Sequence, residues 1–266
     1  MQLPSAWLGH HTATFDWRQR LRAAAVHLGL SALVALLAAV LVFFLWYPYP
    51  YRVISGGREL FQLVVGVDVV VGPLITFAIF DRAKPRTELR RDLAIVGILQ
   101  LAALGYGLWT VEFARPVHLV FEIDRFRVVH RVDIPSELEA RVPPGIAFAP
   151  LTGPTLVAVR PFRSERERLD ATMAALQGVQ LGARPDLWEP YDGARRRVLQ
   201  AARPVSDLER RFPQQKAQIE AALARGNHDA AHASYLPLVA RKAQAWTVLP
   251  DASTADVIGY LPLDSF

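Results

Sequence analysis

The chain of 266 residues is 52% hydrophobic and only 21% charged, a balance that excludes a disordered or collagen-like polypeptide. It has no cysteine, which removes thiolate catalysis, disulfides and Cys-ligated zinc or iron–sulfur centres. The pI near 9.8 does not signal nucleic acid, because residues 1–111 hold 10 Lys/Arg against 6 Asp/Glu while residues 112–266 hold 20 against 19. A nucleic-acid surface needs a basic face on the water-exposed part; here the excess flanks hydrophobic segments, so no nucleic-acid partner is expected.

The mean hydropathy of +0.19 concentrates in the first 111 positions. No fixed charge occurs over residues 23–51, and residues 24–46, dominated by Ala, Leu, Val and Phe, are long enough to cross a hydrocarbon core of about 30 Å. A cleaved signal peptide would have an apolar region of about 7–15 residues and a small-residue cleavage site. Instead Trp46-Tyr47-Pro48-Tyr49-Pro50-Tyr51 follows, read as an interfacial aromatic belt with Pro ending the helix. Residues 60–80 form a second span, interrupted by Asp68 and Pro73, and residues 93–111 a third, uncharged one.

Direction follows from the flanks. Arg18, Arg20 and Arg22 precede the first span, and Arg82, Lys84, Arg86, Arg90 and Arg91 lie between the second and third; the first loop has only Arg52 and Arg58. The positive-inside rule then places residues 1–22 and the second loop in the cytoplasm, and residues 112–266 outside, in the periplasm of a Gram-negative-type cell. Arg115, Arg125, Arg127 and Arg131 oppose this bias, but long translocated domains count little in that rule.

In the outer part, residues 117–124 and 126–132 alternate apolar with polar, as a strand pair does. A Pro/Gly-rich loop spans 143–154, and 155–159 reads as a strand. Residues 164–176 read as a helix with Ser164 as N-cap, 192–202 as a second, and 206–225 as a third, capped by Ser206 with Glu209 three positions on and followed by Gly226. Residues 235–240, 245–249 and 257–261 read as short strands. The fold class expected is an integral membrane protein, three α-helical transmembrane spans (24–46, 60–80 and 93–111) followed by a small α+β extracytoplasmic domain.

Asp68 is the most informative residue. An acid at mid-span costs about 2.5–3.5 kcal/mol on insertion scales and normally faces a partner or a cavity. Eight residues past Leu60, it lies about 12 Å into the bilayer at 1.5 Å per residue. A hydrogen bond to Gln100 or Tyr106, contact with a transmembrane partner, and a proton relay that includes His27 all stay open. Gly66, Gly72 and Pro73 share its helix, and Ala103 and Gly107 form a small-xxx-small pair on the third span. Such residues let backbones approach closely, either within this chain or around another protein's helix.

His228 and His232 stand four apart, as on one helical face, but lack the Glu after the first His of a zincin and a third ligand. His10-His11 is no stronger. No phosphate loop, nucleophile elbow or carboxylate pair with a His stands out, so no catalytic residue, metal or cofactor is assigned.

Several stretches carry a resemblance: Arg20-Leu21 through Phe43-Phe44-Leu45-Trp46-Tyr47-Pro48; Gly66-Val67-Asp68-Val69-Val70-Val71-Gly72-Pro73-Leu74-Ile75-Thr76; Asp92-Leu93-Ala94 through Gln100-Leu101-Ala102-Ala103-Leu104-Gly105-Tyr106-Gly107; then Arg115-Pro116-Val117 and Asp124-Arg125-Phe126. Over about residues 18–130 the chain resembles the type IV pilin accessory proteins of the TfpX/TfpZ group. That resemblance implies a non-enzymatic inner-membrane chaperone or assembly factor for a type IV major pilin. On this reading the second and third spans hold the pilin's transmembrane helix, with Asp68, Gly66, Gly72, Pro73, Ala103 and Gly107 as contacts. The outer domain meets the pilin's periplasmic head, and 235–240 is a candidate contact. The rival readings are a membrane-anchored sensor, for which the cytoplasmic side leaves only about 22 residues and a 12-residue loop, and a subunit of a proton-coupled transporter or enzyme, motivated by Asp68.

Overall fold

The computed structural model describes residues 16–242 and 246–266; His10-His11 and the first residue of the strand expected at 245–249 lie outside them. Three helices are long and apolar enough to cross a membrane, Trp17–Trp46, Gly57–Ile79 and Arg86–Phe113, and a helix-plus-sheet domain follows. The first consists of α1 (Trp17–Val40) continued by a π-helical stretch, Leu41–Trp46. A one-turn helix, α2 (Tyr51–Ile54), precedes α3 (Gly57–Ile79), and α4 is Arg86–Phe113. The helices leave Leu36, Leu63, Leu74, Ile98 and Leu101 exposed, the reverse of a soluble bundle, whose apolar stripe faces inward.

The chain separates into two compact units. One is built from the segment up to Ala38 together with Gln62–Leu108, the other from Ala39–Phe61 together with Trp109–Phe266.

In the second unit a mixed sheet has the order β4-β3-β1-β2-β6-β7-β8, with β5 pairing β6. The strands are β1 (Pro116–Phe121), β2 (Phe126–His130), β3 (Thr155–Val159), β4 (Trp188–Pro190), β5 (Arg203–Pro204), β6 (Ser234–Val239), β7 (Trp246–Pro250) and β8 (Val257–Leu261). β1 lies parallel to β3, and β2 parallel to β6; the other pairings are antiparallel. The helices are α5 (Glu165–Leu176), α6 (Tyr191–Ala201), α7 (Val205–Arg211) and α8 (Lys216–Arg225).

The expected cap of α5 is present, with Ser164 Oγ accepting from Glu167 N at 3.2 Å. The helix expected over 206–225 is two helices. Pro213 lacks an amide hydrogen and pushes the residue before it out of helical geometry; Phe212 accordingly adopts φ −127°, ψ 65°. Val205 starts α7 with Pro204 at the cap position, so Ser206 caps nothing. The alternation over 117–124 also misleads, because every residue of β1 is buried. Leu119 and Phe121 enter one core with α6, while Val117 and Val120 enter another with Ala171 of α5. His118 is buried with them. Its Nδ1 lies 2.8 Å from Thr155 Oγ1 and its Nε2 3.1 Å from the Phe148 carbonyl, so Nε2 carries the proton and donates while the hydroxyl donates to Nδ1. Burial pushes this imidazole down to about 4.

In the connection after the first helix, Tyr47 and Tyr51 turn into the protein instead of forming part of an exposed aromatic belt, while Tyr49 stays exposed. Tyr47 and Ile54 are fully buried and Tyr51 nearly so; Tyr51 and Ile54 share one core with Phe121, Phe126, Leu236 and Trp246. Tyr51 and Tyr260 hydroxyls meet at 3.0 Å, Tyr47 Oη donates to the Val111 carbonyl at 3.2 Å, Gly153 N donates to the Leu45 carbonyl at 2.5 Å, and Lys242 N donates to the Ile54 carbonyl at 3.0 Å. The Glu59 carboxylate also pairs with Lys242. Gly57 is required at its position, because a Cβ there would lie 2.5 Å from the Tyr47 ring.

Two outcomes follow. Residues 112–266 alone will lack core side chains and melt without a sharp thermal transition by circular dichroism. Adding residues 47–61 will restore one, and in the whole protein Ile54→Ala will cost about 2–5 kcal/mol; equal melting of both fragments would refute the shared core. Second, a folded pKa below the unfolded value of about 6.5 means that the unfolded chain binds more protons between pH 6.5 and 4. Stability contributed by neutral His118 is therefore complete above pH 6.5 and falls by roughly 3 kcal/mol as pH drops to 4. His118→Asn should flatten that slope in pH-dependent melting curves.

Candidate functional site

The first unit contains the residues that the sequence singles out. Helices that pass through hydrocarbon gain no hydrophobic force from one another and are joined by close packing and buried polar bonds; contacts of both kinds join the three helices here. Arg20 of α1 reaches the C-terminal end of α3, donating to the Ala78 carbonyl at 2.6 Å and to Asp81 Oδ2 at 3.3 Å. It thereby satisfies carbonyls that a helix end leaves without an internal partner. His27 Nδ1 lies 2.5 Å from Thr76 Oγ1, joining α1 to α3.

Gln100 of α4 donates from Nε2 to the Asp68 backbone carbonyl at 3.1 Å. Gly72 makes this possible, since its missing Cβ leaves the space that the Gln100 amide occupies. Gly107 plays the same part toward Val64, whose Cγ1 would lie 2.5 Å from an added Cβ. Pro73, buried inside α3, cannot donate to the Val69 carbonyl. Gly66 and Ala103 are exposed, and nothing lies within 4 Å of a Cβ built on Gly66. The six expected contact residues therefore separate into packing positions (Gly72, Pro73, Gly107), outward ones (Gly66, Ala103) and Asp68.

Gln100 is the neighbour expected for Asp68, but it bonds the backbone and not the carboxylate. Among the described residues no donor lies within hydrogen-bond distance of the Asp68 side chain. Asp68 lines a cavity of about 260 Å³ walled by Leu30, Val34, Val65, Leu101 and Leu104, with His27, Ser31 and Gln100 as its other polar members. The contribution of α1 is absent from the sequence reading, which assigns the groove to the second and third spans. Its signal was His27 and Ser31, four apart and so on one helical face.

Residues 235–239 lie in β6, an inner strand with Tyr235, Leu236 and Leu238 buried and Pro237 and Val239 half-exposed. His228 and His232 are not on one helical face, since α8 ends at Arg225 and Asn227 is left-handed. His232 Nδ1 instead meets Asp229 Oδ1 at 2.8 Å on the surface.

Against known proteins, the model of the fimbrial assembly protein FimB matches residues 15–56. The fimbrial assembly protein of serogroup I from Dichelobacter nodosus is 34% identical over 242 residues, 91% of this chain and 94% of its own length. The chain belongs to the fimbrial assembly protein family. The serogroup E1 protein of the same organism is 33% identical over the same shares of both chains, and that of serogroups C1 and C2 is 43% identical over 109 residues, 41% of this chain and 83% of its own length. No solved structure matches. The pilin-accessory resemblance read from residues 18–130 points to this family, and this fimbrial assembly protein has a role in pilus assembly.

The packing roles are testable by contrast. Gly107→Ala, which drives a methyl into Val64, should cost about 1–3 kcal/mol in thermal unfolding of the detergent-solubilised protein. Gly66→Ala should change stability by less than about 1 kcal/mol, in the stabilising direction for a helix interior. Equal effects would contradict the packing described.

Proposed function

We propose that the protein is an inner-membrane accessory factor that binds a type IV major pilin and supports its stability or assembly without catalysis. The observation that carries this reading is the relationship to fimbrial assembly proteins over nine-tenths of the chain. The three helices cross the bilayer, residues 1–22 are cytoplasmic, and the mixed domain lies in the periplasm.

Two features support that arrangement. Leu and Ile side chains cover the outside of the helices, as lipid contact requires. The segment between the first and second helices shares a core with the domain after the third, and the two crossings between them, by the second and third helices, put those two parts on one side. A pilin waiting in the membrane has an apolar helix and a water-exposed head. The helices serve the first, with Asp68 facing the partner, and the outer domain serves the second.

Deleting the gene should abolish pili and lower pilin abundance with pilin transcript unchanged, and the intact chain should restore both. Photo-crosslinkers at Leu101 on α4 and Leu176 on α5, both exposed, should capture pilin. Normal piliation in the deletion strain, or a reporter fused after Phe266 that is active only in the cytosol, would refute the assignment.

A further inference from the structure

We propose that the cavity at Asp68 is a binding site for a protonated amine carried on an apolar helix. This rests on the proposed function and specifies the chemistry of the partner group.

The carboxylate has no donor among the described residues, and a carboxylate in hydrocarbon is stable only when paired or in contact with water. This chain's spans supply no cation, since neither 23–51, 60–80 nor 93–111 contains Lys or Arg. The Gln100 Nε2 that faces α3 is already committed to the Asp68 carbonyl, and His27 Nδ1 to Thr76. Besides the Ser31 hydroxyl and the outer nitrogen of the His27 ring, each able to donate once, what the cavity presents is acceptors: two carboxylate oxygens and Gln100 Oε1. An ammonium, with three donors and no acceptor, is their complement. The remaining wall is Leu and Val, which suits the methylene stem of such a group.

Size selects a side chain over a whole helix. A membrane-spanning helix with its side chains, about 30 Å long and 10–12 Å across, fills on the order of 2,400–3,400 Å³, many times the 260 Å³ available. The partner helix therefore lies along the exposed surface of α1 and α4 and sends one basic group inward.

The test uses the full protein in lipid nanodiscs and two Leu/Ala helical peptides about 20 residues long, one with a central lysine and one with norleucine in its place. The lysine peptide should bind the wild-type protein at least about tenfold more tightly. That preference should fall below about twofold in D68N, which removes the charge at constant size, and persist in D68E. Equal binding of the two peptides to the wild-type protein, or an undiminished preference in D68N, would overturn the amine site. Pilin captured at Leu101 despite equal peptide binding would discard the amine and leave the pilin-binding role standing. A deletion strain with normal pili would remove both.

Discussion

The structure depends on one act of burial, the insertion of Tyr51 and Ile54 into the core beneath the central strands. These residues precede the sheet by some sixty positions, so burying them closes a long loop, and the closure entropy is offset chiefly by apolar area removed from water. Polar contacts then fix the segment. The orphan carbonyl of Leu45 is met by Gly153, that of Val111 by Tyr47, and that of Ile54 by Lys242. Each acceptor belongs to a helix end or short turn that would otherwise need water. The loop is thus part of the domain's interior.

The helical unit is held by other means. Its contacts include close approach at Gly72 and Gly107 and polar bonds from His27 to Thr76, Gln100 to the Asp68 carbonyl, and Arg20 to the end of α3, the means that remain to helices where, as on the proposed function, lipid supplies no hydrophobic drive. A polar group in such a setting is satisfied by a neighbour or kept for a partner. Gly72 shows how tightly the choice is made, since any Cβ there would displace the amide that reaches the Asp68 carbonyl.

Hydropathy reveals the helices because a run of more than 18 apolar residues has few alternatives, and Ser164 reveals α5 because its hydroxyl satisfies a free amide at the position that capping predicts. β3 and β8 match their expected spans because β-branched residues between turn signals behave locally. The aromatic cluster at 46–51 misleads because Tyr and Trp suit a membrane interface and a buried core equally well, an apolar body with a hydroxyl that needs a partner. Which applies depends on the sheet, far away in sequence. The break at Phe212 was written in Pro213, but the periodicity of the surrounding residues outweighed it. For the site, the sequence exposed Asp68 through its cost in hydrocarbon. The part played by α1 was hidden, because which helix face meets another is set by packing and not by periodicity alone.

On the proposed function, this division between a lipid-facing and a water-facing part has an energetic logic. A contact between helices in lipid is weak, with polar bonds there worth about 0.6–2 kcal/mol each, and a small domain meeting a pilin head in water need not bind tightly either. Joined in one chain against one membrane-anchored partner, the second contact becomes intramolecular, and its effective concentration strengthens the pair well beyond either alone. The combination also limits the lifetime of the complex. Once one contact is lost to the growing fibre, the other is too weak to hold the subunit, so a helper of this design can shield a pilin and still release it.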